Sequence, residues 1–174
     1  MDIKLFYKKD GRVIQLIDKE KMNDWPVELP FLFVEYIREK KLETYEEGTV
    51  KREVENYLDE VLKEIAIPRL IKLLESEDDE EIILSLTRIE EIAKKNIDMA
   101  KPIQKYLKDL ESKKNIKIVE LATKISAIFI KAERKKELAN KRKIMQEKEK
   151  EFLAGKISAE EYAKIRKEYL LLKE

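Results

Sequence analysis

Shifted by 36 residues, the middle of this sequence falls on itself. Leu74-Glu75-Ser76 lands on Leu110-Glu111-Ser112, Ile82 on Ile118, Thr87 on Thr123, Ile89 on Ile125 and Ile92 on Ile128. Conservative pairs fill the spaces between: Ile71 with Leu107, Ile83 with Val119, Arg88 with Lys124. This constrains the fold more than any other feature. A short amphipathic unit cannot bury its apolar face alone, but stacked neighbours bury one another's. Each unit reads as helix, turn, helix: 66–76 with 80–95, then 99–112 with 115–131. The polar stretches Ser76–Asp79 and Ser112–Asn115 supply turn and N-cap chemistry.

Three stretches carry a resemblance. They are Ile67-Pro68-Arg69-Leu70-Ile71-Lys72-Leu73-Leu74, Ile89-Glu90-Glu91-Ile92-Ala93-Lys94-Lys95-Asn96 and Ala100-Lys101-Pro102-Ile103-Gln104-Lys105-Tyr106-Leu107. Over residues 66–131 the chain resembles the HEAT/armadillo class, and in phrasing the adaptin-type repeats of vesicle-coat subunits. The resemblance implies an α-solenoid that binds other proteins along the groove formed by the second helices of its repeats. Only two repeats are clear, where a solenoid normally needs three. The helices within 31–65 are expected to serve as a divergent capping pair.

The N-terminus reads as a β-hairpin. Ile3–Tyr7 and Val13–Ile17 flank Lys9-Asp10-Gly11-Arg12, and Asp-Gly supplies the positive φ of a tight turn. A lone hairpin is marginal in water, so it must dock on the helices or on a partner. A connector over 18–30 holds Trp25-Pro26 and Leu29-Pro30, whose prolines interrupt helix. Phe31, Phe33, Val34, Ile37 and Leu42 then form one helical face. After Gly48-Thr49, Val54, Tyr57, Leu58, Val61, Leu62 and Ile65 form another.

From Lys131 the apolar residues thin to Leu138, Met145 and Phe152, seven apart, which is the seam of a helix touching one partner helix. Gly155 stops that helix, and Ser158-Ala159-Glu160-Glu161 is a capping box for the next. On the final helix Tyr162, Ile165, Tyr169 and Leu172 face one way. Folded back antiparallel, Tyr162 lies near Phe152, Ile165 near Met145 and Leu172 towards Leu138. The same seam can close on a second copy, giving a homodimer. The expected organisation is a hairpin and connector over 1–30, a HEAT-like repeat domain over 31–131 and a charged helical hairpin over 132–174. The expected fold class is mainly α: a short α-solenoid with an N-terminal β-hairpin and a C-terminal helical hairpin.

Composition limits the chemistry. Among 174 residues there is no His, no Cys and only 3 Gly. That removes serine and cysteine triads, ordinary zinc sites, disulfides, and phosphate-cradling glycine loops. No apolar run approaches the roughly 20 residues that span a bilayer. The charged start MDIKLFYKKDGRV does not read as a signal peptide. A cytoplasmic protein is expected. Abundant Lys and Glu with few Gln give a thermophile-like composition. Net charge is +1, but residues 1–96 hold 17 basic and 24 acidic groups, and 97–174 hold 21 and 13. A chain polarised in this way can self-associate or offer its basic end to an acidic partner.

Four constellations could carry function. The acidic run Glu75–Glu81 has six carboxylates, but lacks the Gly and ligand alternation of a calcium loop. Its plainer role is a turn whose acids favour the next helix N-terminus. No pair among the scattered carboxylates stands out for general acid–base work. Lys131, Arg134, Lys135, Lys136, Lys141, Arg142 and Lys143 make the best polyanion site, against a plainer reading as a solvated, ion-paired helix. No aromatics are interleaved there for base stacking. Trp25 beside an open strand edge could anchor a partner, or could simply cover the first helix together with Phe6 and Leu16. The expectation is a non-enzymatic protein–protein interaction module, an adaptor or assembly subunit. It has no catalytic, cofactor or metal residues, and its partner surfaces are the repeat groove and the hairpin seam. The alternative is a nucleic-acid-associated protein that uses the basic helix over 131–143.

Overall fold

The computed structural model describes residues 6–9, 12–16, 18–40 and 49–173, and side chains over 18–39 and 51–173. After a one-turn 3-10 helix, Lys19–Met22, come α1 (Leu29–Lys40), α2 (Thr49–Val61), α3 (Ile67–Leu74), α4 (Asp79–Lys95), α5 (Ile97–Ala100), α6 (Gln104–Leu110), α7 (Ile116–Leu153) and α8 (Ala159–Lys173). The chain divides into two compact units, 1–125 and 126–174. α7 runs without a break from one into the other.

The fold class is mainly α, and the expected N-terminal β-hairpin is corrected out of it. Asp10-Gly11, which defined its turn, lies outside the described residues, as do Ile3–Leu5 and Ile17. What is described is antiparallel backbone at Phe6–Lys9 and Arg12–Leu16, with an irregular register between Tyr7 and Lys8. Two segments of this length leave most of their backbone unpaired, and a two-stranded ribbon is marginal without a sheet to join. Every buried core residue described lies in or beside a helix. Leu42 and Glu46–Gly48 also fall outside the described residues.

The first repeat helix, expected over 66–76, does not begin afresh there. α2 and α3 are joined by a π turn, Leu62–Ala66, into one helical run from Thr49 to Leu74. Pro68 explains the wide turn. It has no N–H for the carbonyl four residues back, and its ring crowds that carbonyl, so the backbone opens by one residue instead of breaking. Pro102 acts similarly on the helix expected over 99–112, which becomes α5, a 3-10 turn at Lys101–Ile103, and α6.

Five residue pairs 36 apart are buried alike, whereas Ile71 is half-buried where Leu107 is core and Ile128 half-buried where Ile92 is core. Ile67 and Ile103, Leu74 and Leu110, Ile82 and Ile118, Leu86 and Ala122, and Ile89 and Ile125 are all core. The two turns also meet: Asn115 Nδ2 donates to Asp79 at 2.9 Å, and Tyr106 OH donates to Glu75 at 3.2 Å. The buried polar residue Ser85 donates its hydroxyl to the Leu70 carbonyl at 2.6 Å, which lets α4 approach α3 closely without an orphan polar atom. Around this core α1 is tied to α2 by Arg38–Asp59 at 2.5 Å and to α4 by Glu35–Lys95.

Within the second unit, α7 ends as the sequence expects. Gly155 has φ +68°, its N–H donates to Phe152 O at 2.9 Å, and Lys156 N–H donates to Glu151 O at 2.9 Å. These paired bonds satisfy the last carbonyls of the helix, and only glycine takes that φ without strain. Ser158 Oγ then caps α8, accepting from Glu161 N–H at 3.2 Å.

Candidate interaction surfaces

The first surface grows out of the connector. Asp18 caps its 3-10 turn, accepting from Glu20 N–H at 3.0 Å. Of the carbonyls that follow, Met22 O accepts from Trp25 N–H at 3.1 Å, and Arg69 of α3 hydrogen-bonds to three of them. Its guanidinium donates to Met22 O at 2.6 Å, Trp25 O at 3.0 Å and Asn23 O at 3.2 Å. Glu28 at the far end accepts from Arg88 Nε at 3.0 Å, and Arg88 lies over the Phe31 ring, 5.5 Å from its centroid. The connector is therefore clamped at both ends. Trp25 packs edge-on against Phe33 of α1, with centroids 5.5 Å apart, yet remains half-buried.

Beside it lies an open groove of about 620 Å³, lined by Trp25, Val27, Leu73, Arg69, Lys72, Glu75 and Glu81 among others. A second depression of about 420 Å³ shares Val27, Leu73 and Glu81, and adds Leu84, Glu28, Asp78 and Glu80. The Trp25 groove sets apolar Trp25, Val27 and Leu73 among two cations, Arg69 and Lys72, and two carboxylates, Glu75 and Glu81, and the second depression adds Glu28, Asp78 and Glu80. The acidic run Glu75–Glu81 thus forms a turn and an edge. Asp78 caps α4, accepting from Glu80 N–H at 2.8 Å, and Glu81 accepts from Ser76 Oγ at 2.5 Å.

The second surface is in the hairpin. All seven seam residues, Leu138, Met145, Phe152, Tyr162, Ile165, Tyr169 and Leu172, are half-buried. Phe152 and Tyr162 stack with ring centroids 5.2 Å apart, and Tyr162 OH donates to Glu149 at 3.3 Å. The Phe152–Tyr162 stack is the pairing expected where the two helices of the hairpin face each other.

The seven basic candidates separate. Lys141 turns to the seam side and pairs with Glu168 of α8 at 3.1 Å. Lys135, Arg142 and Lys143 are exposed and line a groove of about 540 Å³ with Leu138, Ala139, Gln146 and Tyr169. Among the described residues none of these three is in an ion pair, and no carboxylate lines the groove. Lys131, Arg134 and Lys136 are exposed on α7 outside this groove.

Sequence reasoning missed Arg69, Val27 and Leu73. Arg69 is one of two cations, with Lys72, in the run Ile67–Leu74, and its carbonyl partners lie 44 to 47 residues away, beyond any local pattern. Tyr169 was read as seam alone, yet it also walls the basic groove. No family model matches this chain, and neither a curated protein nor a solved structure matches it.

Proposed function

We propose that this protein is a non-enzymatic protein–protein interaction module, an adaptor or assembly subunit on a short HEAT-like array. Its partner places an apolar side chain, flanked by Lys or Arg, into the groove at Trp25. The observation that carries this reading is a half-exposed apolar cluster, Trp25, Val27 and Leu73, held rigid by Arg69 beside the carboxylates of Glu75 and Glu81. A clamped connector loses little entropy on binding, and a central aromatic within a polar rim is the anatomy of an interface hot spot. The matched burial of five residue pairs 36 apart supports the repeat reading. The groove is open along its length, a shape that suits a peptide more than an enclosed substrate.

Trp25 is the only tryptophan, so its emission reports directly on this groove. Titration with an amphipathic Lys/Leu peptide is expected to shift that emission saturably. The Glu75→Gln/Glu81→Gln variant is expected to weaken binding about 3- to 10-fold at low salt, as two partly exposed charge contacts would. Unmoved emission across the titration, or a shift indifferent to both carboxylates, overturns the reading.

A further inference from the structure

The basic groove of the hairpin is a separate surface with the opposite charge. We propose that it binds the phosphate backbone of nucleic acid, with Lys135, Arg142 and Lys143 as the phosphate contacts. Lys135 and Arg142 lie seven residues apart on α7, about 10.5 Å and two turns, so both face one side with Lys143 at its edge. Their charges are uncommitted among the described residues, whereas the neighbouring Lys141 is held by Glu168. The groove thus presents three cations without a competing carboxylate.

Nucleic acid fits this surface better than an acidic protein does. A protein interface needs an apolar anchor at its centre. Here, unlike the Trp25 groove with its exposed Val27, both large apolar side chains, Leu138 and Tyr169, are half-buried seam residues, and three cations stand beside them with no carboxylate. The same half-burial removes Tyr169 as an open stacking platform, so bases are not read. What remains is a row of charges matched to a row of phosphates, with Arg142 able to grip one phosphate through two N–H groups. Contacts of this kind position a protein on a duplex without specifying sequence.

The test is fluorescence anisotropy of the full chain with a labelled DNA duplex, across a salt series. Three neutralised phosphates predict a slope of about −2.7 in log K against log salt. That is about a 40-fold loss between roughly 50 and 200 mM. Lys135→Gln/Arg142→Gln/Lys143→Gln is expected to lose that slope and most of the binding. Lys164→Gln/Lys167→Gln/Lys173→Gln removes the same charge elsewhere in the hairpin and is expected to retain both. Unrelated duplex sequences are expected to bind alike. The proposal is overturned by no binding at the lowest salt, or by equal losses in the two triple variants. Displacement of the duplex by polyglutamate as readily as by unlabelled duplex also overturns it, in favour of an acidic protein partner.

Discussion

Two regions of this chain share a composition and differ in how they are held. In the first unit, Val34, Leu58, Leu70, Ile82, Leu86, Ile89, Ile118 and Ile125 are withdrawn completely or nearly completely from solvent. In the hairpin, α8 contains no buried residue, and its apolar side chains stop at half-burial. One helix on one helix covers a stripe; three or more helices enclose a volume. The difference sorts the energetics. The first unit rests on apolar burial at about 25 cal/mol per Å², whereas the hairpin depends on one ring stack, exposed ion pairs and helix caps worth about a kcal/mol or less each. It also sorts the surfaces. A packed body can hold an apolar groove open beside Trp25, while a thin hairpin exposes charge.

The largest expected effect is in the core. Ile89→Ala or Ile118→Ala should cost about 2–5 kcal/mol in urea unfolding, as full-burial truncations do. Phe152→Ala should cost about 1 kcal/mol, because its ring is only half-buried and stacked on Tyr162. Equal costs would erase the contrast. Next comes the clamp: Arg69→Ala removes a donor from three carbonyls, of which Met22 O keeps the Trp25 N–H, and should cost about 1–3 kcal/mol. It should also red-shift Trp25 emission as the connector loosens, which a core truncation of similar cost at Ile118 would not do.

A smaller effect lies in the hairpin's ion pair. A double-mutant cycle of Lys141→Gln with Glu168→Gln should give a coupling under about 1 kcal/mol that fades with salt. Smallest at neutral pH is an alkaline effect to which two groups of the first unit contribute. Burial pushes the Tyr57 phenol up to about 12, and carboxylate bonds from Glu64 and Glu60 raise Lys19 to about 12. Both groups bind their proton more tightly when folded, so the stability they add is complete below about pH 10 and is lost as pH rises towards 12. Tyrosinate absorbance should show a late-ionising phase, and Tyr57→Phe should remove it.

How much of this was legible in the sequence follows the range of the interaction. Signals within a turn or two of helix were readable: the Gly155 stop and the Ser158 cap. Proline misled, because Pro68 reads as a boundary, yet a π turn absorbs it within a continuous helical run. The Asp10-Gly11 turn misled in another way, since a strong local turn signal says nothing about what a ribbon can dock on. At the candidate site, Trp25 and the acidic run were visible as residues. Their assembly into a groove was not, because it depends on Arg69 reaching across the fold to the connector.

A packed body and a half-buried hairpin share one continuous helix, α7, without sharing one stability. Native-state hydrogen exchange along that helix tests it most directly. The amides of Leu121, Ala122 and Ile125 should exchange only with global unfolding. Those from Lys135 to Gln146 should open locally, at a cost at least about 2 kcal/mol lower. Uniform protection from Leu121 through Gln146 would contradict the account.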